Sequence, residues 1–175
     1  MAYGQVLLLK RGLYLRFIDN ITRYVAYITA VILAFLVVLV VFDATSRYLF
    51  SEGSTALQEL EWHLFDVVIL LSIAYTLRNN AHVRVDIFYE KFSQKTKLLI
   101  NILSFVFFVL PLSFLIIYIG IGFVEMSYLQ HEASSDPGGL KYRWIVKSLM
   151  PLAFVLLALQ AIKELVDDIK RWRAL

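Results

Sequence analysis

The sequence contains no cysteine, and proline and histidine are scarce, with three residues of each among 175. The absence of cysteine excludes a disulfide framework and any metal site built on thiolates. Charged residues make up only 18% of the chain. The basic ones lie at the edges of apolar segments and form no continuous patch, which argues against nucleic acid as a partner.

Apolar residues dominate what is present. They make up 60% of the chain, and the mean hydropathy is +0.71. Soluble domains have an apolar share of about 45–50%. A chain of 175 residues is also short enough to form one domain. The composition therefore predicts a single membrane domain over residues 1–175.

Four apolar segments are long enough to cross a bilayer, which requires about 20 helical residues. The first contains an uncharged run of 19 residues from Tyr24 to Phe42. We expect an all-α integral membrane protein with four transmembrane helices. Their expected bounds are residues 24–46, 60–78, 98–124 and 144–163. Pro111 removes a backbone donor within the third segment and predicts a kink there.

The distribution of Lys and Arg predicts the topology. Four lie in the N-terminal segment, five between Arg78 and Lys97, and four in the C-terminal tail, against four in the two other loops. Because basic residues are enriched in cytoplasmic loops, both termini are expected in the cytoplasm.

Amphipathic segments are expected to flank the spans at the membrane surface. In residues 1–23 an apolar arc that includes Phe17 lies opposite polar residues that include Asp19. A short apolar face that includes Phe92 follows the second span, and an apolar stripe continues past the fourth.

Two groups of charged residues fall at membrane depth. Asp43 and Arg47 are four residues apart, the favourable order for a helical ion pair. Glu59, His63 and Asp66 form one stripe on the second span, while Glu61 points almost the opposite way. The stripe could bind a cation, or it could be a polar lock between packed helices. The lock is the favoured reading, because no second ligand cluster appears on the other spans.

The segment between the third and fourth spans carries turn chemistry. Asp-Pro-Gly-Gly within Ser134–Gly139 predicts a tight reversal. The residues that follow, 142–144, are typical of a membrane interface. Lys147 lies one turn inside the fourth span, where its side chain can reach back to the headgroups.

No motif of an independent enzyme is present, since the sequence lacks a glycine-rich phosphate loop, HExxH and GxSxG. One alternative function is a membrane-anchored redox subunit that binds haem or quinone through His63. Another is a small channel or exporter that acts alone, although such transporters usually show internal repeats or broken helices with polar midplanes. The residues favour an accessory subunit.

Several short motifs occur in an order that resembles the DctQ-type small membrane subunit of tripartite ATP-independent periplasmic (TRAP) transporters. They are RYLF at 47–50, LQELE at 57–61, the apolar span at 66–77, HVRVD at 82–86 and SSDPGGLKYRW at 134–144. The resemblance covers about residues 20–165.

The resemblance implies a sodium-coupled secondary transporter in the bacterial inner membrane. A periplasmic binding protein would deliver a small organic acid to a large multi-span subunit, which would hold the sodium and substrate sites. This chain would stabilise the large subunit, contact lipids, and bind no cofactor. Its candidate interface or helix-packing residues are Asp43, Arg47, Glu59, Glu61, His63, Asp66, His82, Arg84, Asp86 and Lys147.

Overall fold

The computed structural model describes residues 2–79 and 92–175, with the backbone alone described for residues 2–15. These residues form α1 (Ala2–Phe50), α2 (Thr55–Arg78), α3 (Gln94–Ser104), α4 (Leu110–Leu129) and α5 (Trp144–Ala174), and no strand occurs among them. A π-helical turn, Phe105–Val109, joins α3 to α4. The predicted all-α fold with four helices long and apolar enough to cross a membrane is confirmed. Three of the predicted spans each lie within one helix, and the third, 98–124, runs through α3, the π-helical turn and α4.

The amphipathic segments expected at the two ends are not separate elements. Residues 2–23 form the first part of α1, which runs for 49 residues without interruption. At 1.5 Å per residue this helix is roughly 70 Å long, more than twice the thickness of the hydrocarbon core of a bilayer. The C-terminal tail likewise continues α5 as far as Ala174. The segment expected between the second and third spans lies mostly outside the described residues.

Serine residues cap the N-termini of two helices. The Ser54 hydroxyl accepts a hydrogen bond from the Leu57 amide at 3.4 Å, which caps the start of α2. Ser93 caps α3 in the same way, with the Thr96 amide at 3.2 Å. Such caps satisfy amides that have no partner within the helix. They fix where each helix begins.

The predicted irregularity near Pro111 takes the form of the π-helical turn. The Leu110 amide donates to the Phe105 carbonyl, five residues earlier, and Pro111 follows at the start of α4. Proline is tolerated in the first turn of a helix because the amides there need no partner within it. The wider turn thus accommodates Pro111 without ending the span.

The helices form an open layer. α1 packs against α2, α2 against α5, and α5 against α4, whereas α1 and α4 scarcely touch within the described residues. α5 is the most buried helix, with Ala153, Ala158 and Ala161 almost inaccessible. Gly120 permits close approach of α4, because a Cβ there would lie 3.2 Å from Pro151.

We refer to the two ends of this layer by the residues that mark them. The Glu59 end holds the α1–α2 connection and the α4–α5 loop (residues 130–143). The Gln160 end holds the end of α2, the start of α3 and the second half of α5.

Candidate functional site

The α4–α5 loop contains the tight turn that its sequence predicts. The Gly139 amide donates to the Asp136 carbonyl at 3.0 Å, and Gly138 has a φ of +81°. With a proline in the second position, this geometry is that of a type II turn, which requires a positive φ at the third position. The Ser134 amide donates to the Leu140 carbonyl at 2.9 Å and closes the base of the turn.

Glu59 holds this loop against α2. Its carboxylate accepts hydrogen bonds from the Ser134 hydroxyl and from the Leu140 amide, the latter at 2.6 Å. Arg143 Nη2 lies 3.4 Å from Glu59 Oε1. A Cβ on Gly139 would collide first with the Ser134 side chain and would also lie 2.9 Å from Glu59 Oε2, so glycine allows the loop to close around both groups. Glu59 thus forms a polar lock, but the lock joins α2 to the α4–α5 loop and not to another helix.

The Lys147 side chain does not reach toward the headgroups as expected, because it contacts other residues of this protein. It pairs with Glu132 in the α4–α5 loop, and its Nζ lies 4.1 Å from the centre of the Phe123 ring. The hydrogen bond from Lys147 is the main reason that the pKa of Glu132 lies below its ordinary value. A carboxylate and an aromatic face together satisfy the ammonium group within the protein.

The stripe on α2 lines an open cleft of about 380 Å³. Glu59, His63 and Asp66 form one wall, and the loop and the first turn of α5 form the other. Glu59 is buried and His63 half-buried, whereas Asp66 is exposed. None of the described residues forms a hydrogen bond or an ion pair with the Asp66 carboxylate. Within residues 16–79 and 92–175 no three His, Asp or Glu residues are placed to hold a metal ion, so the cation alternative gains no support.

Asp43, Arg47 and Glu61 lie on the other side of α2. Arg47 Nε is 2.8 Å from Asp43 Oδ2, as the four-residue spacing predicts, and Asp43 is only 1% exposed. Glu61 Oε1 is buried and has no hydrogen-bond partner in the described part of the chain. Glu61 borders a groove of about 330 Å³ whose other described walls include Leu36 and Val40 of α1. Glu59 and Glu61 thus face different neighbours.

The Gln160 end holds a polar cluster that the sequence did not reveal. Gln160 is fully buried; its Oε1 accepts from the Thr22 hydroxyl at 2.9 Å, and its Nε2 donates to Glu164 at 2.8 Å. Asp19 lies 3.3 Å from Lys163 Nζ and also accepts from Gln160. These contacts fasten α1 to α5.

Two further contacts join the remaining helices to this end. Arg78, the last residue of α2, lies 3.3 Å from Asp19. Asn101 of α3 donates to Asp168 of α5 at 3.2 Å. The sequence pattern predicts Asp19 on the polar arc of a surface helix, but Asp19 faces two cations from other helices. The sequence does carry one pattern that points to this cluster. On α5, four polar residues share one face at i, i+3, i+4 and i+7 spacing: Gln160, Lys163, Glu164 and Asp167.

Three of the predicted interface residues, His82, Arg84 and Asp86, lie outside the described residues. The structure therefore places seven of the ten candidates. Glu59, His63, Asp66 and Lys147 border one cleft, and Asp43, Arg47 and Glu61 lie between α1 and α2.

Comparison with protein families gives one match. The family model for the DctQ component of tripartite ATP-independent periplasmic transporters matches residues 36–171, which is most of the chain. No curated protein matches it significantly. The match begins within α1, reaches all four helices that are long and apolar enough to cross a membrane, and includes every candidate side chain that the structure describes. The chain belongs to the DctQ family and is a DctQ-type small membrane subunit of TRAP transporters.

Proposed function

We propose that this subunit is a scaffold. It packs against a large membrane subunit in the bacterial inner membrane and stabilises it. The large subunit imports a small organic acid together with sodium, after a periplasmic binding protein has delivered the acid. The family membership supports a role in a tripartite transporter, since the family is one of transporter components and not of enzymes.

The observation that supports the scaffold role is that many buried polar groups join one element of the chain to another. At the Gln160 end they fasten the helices to one another, and at the Glu59 end they fasten a loop. Between these ends, the buried hydroxyls of Thr29 and Ser113 bond to carbonyls of their own helices. These contacts hold the buried polar groups within the protein, whereas a solute path would require polar groups that face the solute.

The exposed surface supports packing against another membrane protein. Large apolar side chains are exposed on all four spans. Lipid covers such surfaces, but an open layer in which α1 and α4 scarcely touch also leaves broad faces on which a second membrane protein can pack. With both termini in the cytoplasm, the Glu59 end faces the periplasm and the Gln160 end the cytoplasm.

The experiment compares the large subunit with and without this chain. Both are expressed together in a bacterial membrane, solubilised gently and purified through a tag on this chain. We expect a stoichiometric complex, and a large subunit that unfolds at a lower temperature when it is purified alone. A tagged four-helix membrane protein of another family is the control for nonspecific recovery.

Reconstitution into liposomes separates the scaffold role from the alternatives. The complex with its binding protein should take up solute in a sodium gradient, while this chain alone should pass none. Solute flux through this chain alone would support the channel alternative, and a Soret band in the purified chain would support the haem alternative. Either result, or failure to recover the large subunit, would refute the scaffold role.

A further inference from the structure

Both basic side chains that line the cleft beside α2 already pair with a carboxylate, whereas two of its acidic side chains do not. Arg143 is engaged by Glu59, and Lys147 by Glu132. His63, Asp66 and Asp136 also line the cleft, and neither of the two carboxylates has a hydrogen-bond or ion-pair partner among the described residues. The cleft is therefore complementary to a positive charge.

Asp66 lies inside the membrane span, where a carboxylate without a partner is unusual. It lies four residues after Trp62, an aromatic residue typical of the membrane interface, and so about 6 Å deeper along the helix. It lies 12 residues before Arg78, at the other end of the span. Ionisable side chains within membrane spans normally face another protein group or water. In the isolated subunit Asp66 is exposed.

Asp66 belongs to a continuous exposed face of α2. Trp62 is 72% exposed, Phe65 49% and Ile69 45%, and their spacing places them on the same side of the helix as Asp66. We call these four residues the Asp66 face. Apolar side chains surround a single acid there, which is the pattern expected of a helix that packs on a second membrane helix bearing one donor or cation.

We propose that the Asp66 face is the docking surface for the large subunit, and that one lysine or arginine on a helix of that subunit enters the cleft and pairs with Asp66. This inference rests on the proposed scaffold function and adds the surface and the chemistry of the contact. Asp136, on the loop that lines the same cleft, adds a second negative charge that attracts the incoming cation.

Charge substitutions test the pairing. Asp66→Lys should lower the yield of complex with the large subunit by about three- to twentyfold, the range of measured interhelical polar contacts in membranes. Asp66→Asn should have a smaller effect because an amide still accepts a hydrogen bond. Glu125→Lys is the matched control, since Glu125 is exposed near one end of α4 and has no partner among the described residues. It should leave the yield unchanged.

Two further measurements locate the contact and identify its partner. A photocrosslinking residue at position 62 should attach to the large subunit, whereas one at Tyr118, which is 80% exposed on α4, should not. Exchange of the partner's basic residue for glutamate should restore the yield with Asp66→Lys. Each variant is first shown to retain the unfolding temperature of the unaltered subunit, so that a loss of yield reports binding.

The outcomes separate the two proposals. If the unaltered subunit fails to recover the large subunit, the scaffold function is wrong. If recovery succeeds but Asp66→Lys leaves the yield unchanged, the docking surface is wrong and the scaffold function stands. Crosslinks from position 62 to the binding protein or to phospholipid alone, or equal crosslinking from positions 62 and 118, would also overturn the docking surface.

Discussion

The hydrogen bond between Thr22 and Gln160 gives the sharpest test of how the helices are held together. It joins residues that are 138 positions apart, and both are nearly inaccessible, with Thr22 3% and Gln160 0% exposed. The two side chains belong to α1 and α5, and few other contacts link these helices. If the buried polar cluster fastens the Gln160 end, loss of this bond must destabilise the fold.

The expected loss of stability depends on which polar group each substitution leaves without its hydrogen-bond partner. Thr22→Val keeps the shape and removes the hydroxyl, while Gln160→Leu removes an amide that also contacts Glu164. A buried polar group left without its partner costs about 1–3 kcal/mol. The Thr22 hydroxyl can turn to a carbonyl of its own helix, as Thr29 does with Val25 at 2.8 Å. We therefore expect a coupling energy of about 0.5–1.5 kcal/mol between the two substitutions.

The assay is reversible unfolding in mixed micelles at increasing fractions of denaturing detergent, followed by tryptophan fluorescence. The four chains of the cycle are the unaltered protein, the two single variants and the double variant. Thr29→Val combined with Gln160→Leu is the control, because Thr29 is buried on the same helix but bonds only within it. A Thr22–Gln160 coupling within about 0.3 kcal/mol of zero, or one equal to that of the control pair, refutes the reasoning.

Three further predictions concern the Glu59 end. Glu59→Gln removes the charge that orders the α4–α5 loop and should speed hydrogen exchange of the loop amides by about tenfold. Gly139→Ala places a Cβ against the Ser134 side chain and the Glu59 carboxylate and should lower the unfolding midpoint by about 2–4 °C. The pKa of Glu132 is lowered mainly by its hydrogen bond to Lys147, so this contact stabilises the fold above the ordinary pKa of 4.5. That stabilisation should disappear as the pH falls through the lowered pKa, and the unfolding midpoint measured from pH 7 to 3 should show it.

Matched variants serve as controls for these effects. Glu52→Gln removes an exposed carboxylate near the same end and should leave loop exchange unchanged. Gly122→Ala adds a Cβ with nothing within 4 Å and should not lower the midpoint. Glu132→Gln should abolish the part of the acid dependence that belongs to this contact. Equal responses of test and control variants would contradict the assignments.

Local patterns in the sequence predicted much of this fold. Hydropathy and length located four spans, because a helix that crosses the hydrocarbon core needs about 20 predominantly apolar residues. The Asp43–Arg47 pair and the turn that contains Gly138 depend on residues within four positions of one another. Such features can be predicted because a single helix or turn determines their geometry.

Contacts between distant segments were not predictable from the same patterns. Asp19 sits on the polar arc of its helix, and nothing near it in the sequence indicates that Arg78 and Lys163 will face it. The local pattern predicts that Lys147 reaches the headgroups, because nothing near it in the sequence indicates that Glu132, 15 residues earlier in the α4–α5 loop, is its partner. For Glu59, the helical spacing identified the stripe on α2, but the partner proved to be the loop that packs on that stripe.

The position of the polar clusters at the two ends also bears on the scaffold proposal. Apolar contacts between membrane helices have little directional preference, and small residues such as Ala153 and Ala158 allow close packing without fixing the register. Hydrogen bonds at the Gln160 end and around Glu59 fix the register because their geometry is restrictive. A layer held at both ends presents its outer faces in one arrangement before a partner binds. Since an ordered surface loses less conformational freedom on association, this arrangement favours the proposed binding of the large subunit to the Asp66 face.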